Sequence, residues 1–289
     1  MEAWLIYDRD AAEYNQKYIQ FYIDEGAKLK IKVRLILTEE LEFGVLDNKW
    51  FINYQNKKIE QPDFAICRVI YPLLSKQLEF MGIRVFNNSF VAEICNDKAK
   101  TYQYLAKTGI KMVDSIFVRN SKLKEHLTNV KENSTDRKVP SIIKAVNGHG
   151  GSQVFLIEEE NKTQIVKGLG SSDAVIQPLT GSRHQDLRVY VIGKKIIAAV
   201  LRTAKDGFKA NYSLGGEVTL YNLSDDEIEI INIIIGQFEF GLVGIDFIIG
   251  DKGELIFNEI EDVVGARMLY LCSKVNLVEL YLRYIIQSI

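Results

Sequence analysis

Along roughly the first ninety residues, apolar and polar positions alternate in blocks that predict strand, helix and strand in turn. "AWLIYD" is a short apolar run that predicts a strand. "EYNQKYIQFYIDEGAK" spaces its apolar positions as one amphipathic helix closing near Gly26. "IKVRLIL" and "FAICRVI" predict further strands, "LLSKQLEFMG" a helix and "IRVFN" a short strand. This β-α-β alternation predicts a small open α/β sheet. No G-x-G-x-x-G follows the first strand, so the dinucleotide-binding fingerprint is absent.

From Asn96 the pattern changes. "NDKAKTYQYLAKTG" has an Asn-Asp helix start, an apolar face of Ala99, Tyr102, Leu105 and Ala106, and Gly109 as its C-terminal cap. "NVKENSTDRKV" predicts a solvated loop, and "PSIIKAV" and "AVIQPL" are strand-like. "LRVYVIGKKIIAAVLRT" predicts a hairpin around a Gly-Lys turn. Ser224 and Glu227 make a capping box for a helix reaching about Phe240. "LVGIDFIIGDKGELIFNEIE" predicts a second hairpin, and "VNLVELYLRYIIQSI" a terminal amphipathic helix. There is no internal repeat or low-complexity tract.

Composition narrows the classes. The 289 residues suffice for two domains and a sizeable core, with 47% apolar residues, 26% charged residues and a net charge of -2. That balance gives no electrostatic reason to expect nucleic acid or a membrane surface as partner. Cys67, Cys95 and Cys272 form no CxxC pair, which predicts reduced thiols and a cytoplasmic protein rather than a disulfide framework or zinc site. The N-terminus turns acidic within a few residues, so no signal peptide is expected. The apolar stretch "IEIINIIIGQFEFGLVGIDFIIG" contains Glu229, Glu239 and Asp246 and is divided by Gly241, which predicts core rather than a membrane span.

Two places carry candidate chemistry. If Gly250 to Gly253 form a four-residue turn, Asp246 faces Phe257 across the last hairpin, and Glu259 and Glu261 share its face. Asp246 and Glu259 are then diagonal neighbours, roughly 7–8 Å apart at the backbone, with room for a hard cation between their oxygens. Taken alone, the same pattern equally suits an exposed acidic face. The second place is Lys144, inside a strand and just before the glycine-rich segment Asn147 to Ser152. A lysine beside backbone N–H groups free of bulky side chains is one way to hold a polyphosphate. It is not a Walker A loop, because the lysine precedes the glycines; taken alone, a β-turn with an exposed lysine is the simpler reading.

In order along the chain, Lys98, Lys144 with "GHGGS", "VIQPL", "QDLRVYVIGKKIIAAVLR", "KANYSLGG" and "GIDF…FNEIE" resemble the ATP-grasp superfamily. The likeness is to the ribosomal-protein-S6 glutamate ligase type of carboxylate–amine ligase, and it runs from about residue 63 to the C-terminus. It implies an α/β (α+β) chain: an N-terminal pre-ATP-grasp α/β domain (1–95), then a two-lobed ATP-grasp domain. The small lobe would span 96–175 and carry the phosphate-binding loop. The C-terminal lobe would span 176–289 and carry the metal site.

The resemblance also implies roles. Lys98 and Lys144 would reach the ATP phosphates, with Gly148, Gly150, Gly151 and Ser152 closing over them. Gln177, Pro178, Leu179 and Thr180 would carry adenine, Asp186 would meet the ribose, and Asn211 would help hold phosphate and metal. Arg188 and Arg202 would face the reacting centre. Asp246, Glu259 and Glu261 would ligate Mg2+, with Mn2+ as an alternative. The implied reaction joins a carboxylate to an amine, of an amino acid or peptide, through an acyl phosphate. An arginine such as Arg202 would stabilise the tetrahedral oxyanion, and "KDGFKANYSLGGE" would be the lid. Homodimers and homotetramers are common in what the chain resembles.

Departures from the family pattern keep two other readings open: a small-molecule kinase on the same fold, and an ATP-binding regulatory member without ligase activity. Pro178 stands where an acidic hinge residue is usual, and Glu261 where an asparagine is usual. "EIEDVVGARML" replaces the usual E-x-N-x-x-P-G, which puts Arg267 at the substrate end as a candidate carboxylate clamp. Arg68, after a strand of the N-terminal domain, is a second candidate at the interdomain cleft. His149 reads as a solvent-exposed loop residue, and His126 and His184 fit no metal-ligand spacing.

Overall fold

The computed structural model describes residues 1–129, 141–151, 153–204 and 217–289. Strand β1 (Glu2–Tyr7) is buried along nearly its whole length. Asp8 then caps α1 (Arg9–Tyr14) by accepting from the Ala11 N–H at 2.7 Å. The single helix expected here is two. Asn15 turns its side chain back to the Ala11 carbonyl at 2.8 Å and ends α1, and α2 (Gln16–Lys28) starts afresh. Gly26 does not close α2. It lets the helix approach β2 (Lys32–Leu37), because a Cβ there would lie 2.6 Å from Val33 Cγ2.

Residues 41–58 form an antiparallel sheet absent from the sequence expectations: β3 (Leu41–Leu46), β4 (Lys49–Tyr54) and β5 (Lys57–Lys58). Asp47 and Asn48 make its first turn, both at positive φ, the geometry of a tight hairpin. Then come β6 (Phe64–Cys67), α3 (Pro72–Phe80) and β7 (Arg84–Phe86). Strands β2, β1, β6 and β7 lie in that order in one parallel sheet, the open α/β sheet anticipated from the alternation.

Helices α4 (Ser89–Cys95) and α5 (Lys98–Leu105) lead to two further sheets. The smaller is built from β8 (Ile116–Val118), β9 (Ser141–Ala145), β10 (Val154–Leu156) and β11 (Ala174–Pro178), in the order β10-β9-β11-β8. Helices α6 (Leu123–Asn129) and α7 (Lys162–Leu169) accompany it. Its core is closed by Leu123, Leu127, Ile165 and Leu169 against Ile143 and Ala145 of β9.

The larger sheet runs β14-β13-β12-β15-β16. It comprises β12 (Gln185–Ile192), β13 (Lys195–Thr203), β14 (Glu217–Tyr221), β15 (Leu242–Ile249) and β16 (Leu255–Glu261). Between β14 and β15 lies α8 (Asp225–Ile235), opened by the expected Ser224–Glu227 capping box. It stops at Ile235 rather than Phe240, because Phe238 and Phe240 leave the helix path and are buried in the core under the sheet. The chain ends with α9 (Arg267–Cys272) and α10 (Leu277–Ser288). Tyr281, Leu282 and Ile285 of α10 share one core with Ile19 and Tyr22 of α2, which ties the last helix to the N-terminal sheet. Among the described residues no helix is long and apolar enough to cross a membrane, and the stretch 229–250 is helix and strand of this core, as expected.

The last hairpin corrects the expected register. Its turn spans 250–254, closed by a Gly250 N–H donating to the Glu254 carbonyl at 2.9 Å, so Ile249 pairs with Leu255. A bulge then shifts the register, and Asp246 pairs directly with Glu259 instead of facing Phe257. The extra residue of the bulge is Asn258.

Candidate active site

The site lies between the small and large sheets. On β9, Ile143 and Ala145 point into the core, so by the strand period of two Ile142 and Lys144 face the cleft. Lys144 is buried and donates from Nζ to Asn258 Oδ1 of β16 at 3.0 Å. Burial lowers the Lys144 ammonium to about 8, Lys98 adds to the lowering, and Glu259 partly opposes it. A buried lysine with a neutral partner and a second cation nearby is arranged for an anion to arrive.

Lys98 opens α5, whose cap is Asp97 accepting from the Lys100 N–H. Its Nζ donates to the Gly148 carbonyl at 2.6 Å and pairs with Glu259 Oε2 at 3.0 Å. Gly148, Gly150 and Gly151 line the same cleft. Gly150 and Gly151 hold φ of 63° and 74°, which a side chain would strain. Gln177, Pro178, Leu179 and Thr180 form the opposite wall. Gln177 donates to Ser115 Oγ at 2.9 Å, and its buried Oε1 has no hydrogen-bond partner among the described residues. His149 is exposed, as expected. Ser152, Asn211 and nearly all of the "KDGFKANYSLGGE" segment lie outside the described residues.

Four side chains of the large sheet form a buried charge cluster. Strand register places Arg188 opposite Asp246 and Asp186 opposite Arg202. Arg188 grips Asp246 with both fork positions, Nε to Oδ1 at 2.8 Å and Nη2 to Oδ2 at 2.7 Å. Arg202 adds a 2.8 Å bond to Asp246 Oδ2 and a close contact to Asp186. Arg188 Nη1 also pairs with Glu261 Oε2 at 2.6 Å. Burial pushes the Asp186 carboxyl up to about 7, with Arg202 opposing. Burial acts the same way on Asp246, but the two arginines outweigh it and hold that carboxyl far below the usual range. Burial raises Glu261 despite Arg188, whereas Lys98 and Lys144 keep Glu259 low against burial.

This geometry bears on the expected metal ligands. Asp246 has both oxygens engaged by arginines, and among the described residues no three His, Cys, Asp or Glu side chains are disposed to hold one ion. The three-carboxylate set is therefore not assembled. Glu259 and Glu261 both line the cleft beside the lysines, and as hard oxygen donors they suit a cation that arrives with a nucleotide. Asp186 sits on the cleft wall within the charge cluster.

A second cavity of about 890 Å3 adjoins the first, and Gly150, Arg188 and Glu261 line both. Arg202, Arg68 and Arg267 line the second. The two substrate-end arginines named from sequence thus meet across one cavity, Arg68 from the end of β6 and Arg267 from the start of α9. Arg267 lies over the Tyr14 ring at 4.2 Å and donates to Tyr14 Oη at 2.5 Å and Asn15 Oδ1 at 3.3 Å. Sequence reasoning missed Asn258, Tyr14 and Asn15. Tyr14 and Asn15 carry no motif, and Asn258 stands next to Glu259 in "FNEIE", where only a bulge brings it to the cleft.

Known proteins resemble this chain at several levels. Residues 95–285 match the family model of the RimK-like ATP-grasp domain. The chain is 28% identical over 293 aligned positions to uncharacterized protein MG011 of Mycoplasma genitalium, covering 99% of this chain and 93% of that one. It is 29% identical over 215 positions to a probable alpha-L-glutamate ligase of Legionella pneumophila strain Corby, covering 73% and 69% respectively. Among solved structures, the ATP-grasp ligase PsnB, complexed with a phosphomimetic variant of its minimal precursor, Mg and ADP, superposes with a TM-score of 0.67. That match has 14% identity and covers 99% of this chain and 98% of PsnB, and it shows a shared fold.

Proposed function

The chain belongs to the RimK-like ATP-grasp family, and we propose that it is an ADP-forming ligase that joins a carboxylate to an amine of an amino acid or peptide. The observation that carries this reading is the pair of adjoining cavities. One holds lysines and a glycine loop suited to phosphates, the other is walled by arginines and tyrosines, and Arg188 and Glu261 stand at their junction. A nucleotide sensor needs no second cavity of this size opening onto the phosphate end. The glutamate-ligase name of the Legionella relative points to the same reaction class.

Within this reading ATP lies in the first cavity. Lys98 and Lys144 hold its phosphates, the backbone N–H groups of the Gly148–Gly151 loop close over them, and the Gln177–Thr180 wall takes the base. Glu259 and Glu261 hold the magnesium that the nucleotide brings, and that ion supplies charge neutralisation at the transferred phosphoryl group. A substrate carboxylate at the junction attacks the γ-phosphorus; the bond to the β-bridging oxygen breaks and ADP leaves. The amine then attacks the acyl carbon, loses its proton, and inorganic phosphate departs. Arg188 and Arg202, fixed by Asp246 and Asp186, are the donors nearest the oxyanion that forms in that step. With its thiols unpaired, the protein suits a reducing cytoplasm.

The test is ADP release by the purified protein with Mg-ATP and pools of amino acids and small carboxylates, with Glu259→Ala as control. Release that needs both a carboxylate and an amine, and is lost in the control, is expected. Release with a single substrate and a phosphorylated product would replace the ligase reading with a kinase.

A further inference from the structure

Arg68 is a buried guanidinium with no counter-ion among the described residues. It is only 8% exposed, and its contacts are the Val264 carbonyl at 2.9 Å, the Tyr7 hydroxyl at a long 3.4 Å and the face of the Tyr18 ring at 5.5 Å. Among the described residues no carboxylate pairs with it. Asp262 is close enough to feel its charge, but that carboxylate accepts from Asn87 Nδ2 at 2.6 Å and Asn96 Nδ2 at 2.9 Å. The other buried arginines of the cavity differ: Arg188 and Arg202 each have two acidic partners.

A charge taken out of water without a partner is costly, and proteins keep one where a ligand supplies the missing charge. Arg68 lines the second cavity, the same space that opens onto the reacting junction at Arg188 and Glu261. Its packing fixes the guanidinium plane, because Val264 anchors one nitrogen and Tyr18 one face. That leaves the fork pre-oriented for a carboxylate.

We propose that Arg68 is the receptor for a second, non-reacting carboxylate of the substrate, so that this protein selects substrates carrying two acidic groups. One carboxylate lies at the junction to be activated, and the other pairs with Arg68. The exposed Arg267, held by Tyr14 and Asn15, lines the same cavity and strengthens the field that draws such a substrate in. Arg68 follows β6 in the N-terminal sheet, so selection is built on a different sheet from the one that carries the reacting groups. This inference rests on the ligase reading.

The test is calorimetric binding of succinate, glutarate and adipate, each beside its monoamide, to the ADP-saturated full chain. At least one diacid is expected to bind about tenfold or more tightly than its monoamide. Arg68→Gln is expected to erase that preference while leaving ADP affinity unchanged, and Arg68→Lys to retain part of it. Wild-type protein that binds ADP but prefers no diacid over its monoamide overturns this inference and leaves the ligase reading standing. A preference that survives in Arg68→Gln also overturns it. Wild-type protein that fails to bind ADP overturns both.

Discussion

Lys144 and Asn258 join the two sheets of the candidate site across its floor, with the lysine Nζ of β9 3.0 Å from the asparagine Oδ1 of β16. The bond exists because a bulge turns Asn258 toward the cleft beside Glu259. The asparagine holds the lysine in place without supplying a counter-charge, which leaves the amine available to a phosphate. Lys144→Met is therefore expected to weaken ATP binding about ten- to hundredfold, the worth of a charge-assisted hydrogen bond of about 1.5–3 kcal/mol. Asn258→Ala should weaken it less and leave the fold intact. Equilibrium binding of a fluorescent ATP analogue, with circular dichroism as the folding control, checks both.

The titration of Lys144 gives a pH dependence. Its folded value, about 8, lies below the ordinary 10.5. Its contribution to apoprotein stability is thus present above 10.5 and lost as the pH falls through about 8. Bound phosphate favours the charged amine, so at pH 9 ATP should bind with uptake of close to one proton, and affinity should fall as pH rises above 8. Calorimetry in two buffers of different ionisation heat reads the uptake directly, and Lys144→Met should abolish it.

Asp246 is the hub of the buried cluster, gripped by Arg188 and Arg202 together. Asp246→Asn removes the charge but leaves two buried guanidinium groups short of a partner. A loss of about 3–5 kcal/mol in urea unfolding is expected. A loss under about 1 kcal/mol would mean that the cluster reorganises freely and does not fix the arginines.

Much of this arrangement is written in the chain. The strands carrying Lys144, Arg188, Arg202 and Asp246 are apolar runs interrupted by one or two charges, and most of those interruptions mark the site. Local pattern did not reveal what depends on pairing. The bulge at Asn258 shifts the register by one, and turn length alone does not determine that shift. The Arg188–Asp246 pair follows from β12 lying beside β15, a contact between residues far apart in sequence. The hairpin at 41–58 escaped because its inward positions, such as Phe43 and Ile52, are too few to make a period, leaving Asp47-Asn48 as its only strong signal. Asn15 broke a helix whose apolar spacing was continuous across it.

Arg267 is exposed and held by Tyr14 and Asn15, so its loss should not unfold the protein. Arg267→Ala is expected to raise KM for the acidic substrate several-fold with kcat nearly unchanged, the signature of lost ground-state binding. Steady-state kinetics across substrate concentration separates the two parameters, and a drop in kcat alone would move Arg267 from binding to chemistry.

The central claim is that a carboxylate is activated as an acyl phosphate and then captured by an amine. It is tested most directly by supplying the substrate carboxylate labelled with 18O and measuring the released inorganic phosphate by mass spectrometry. The account predicts that one 18O passes from carboxylate to phosphate for each amide formed, and only when the amine is present. Amide formation with unlabelled phosphate, or labelled phosphoryl product that accumulates with no amide, would contradict it.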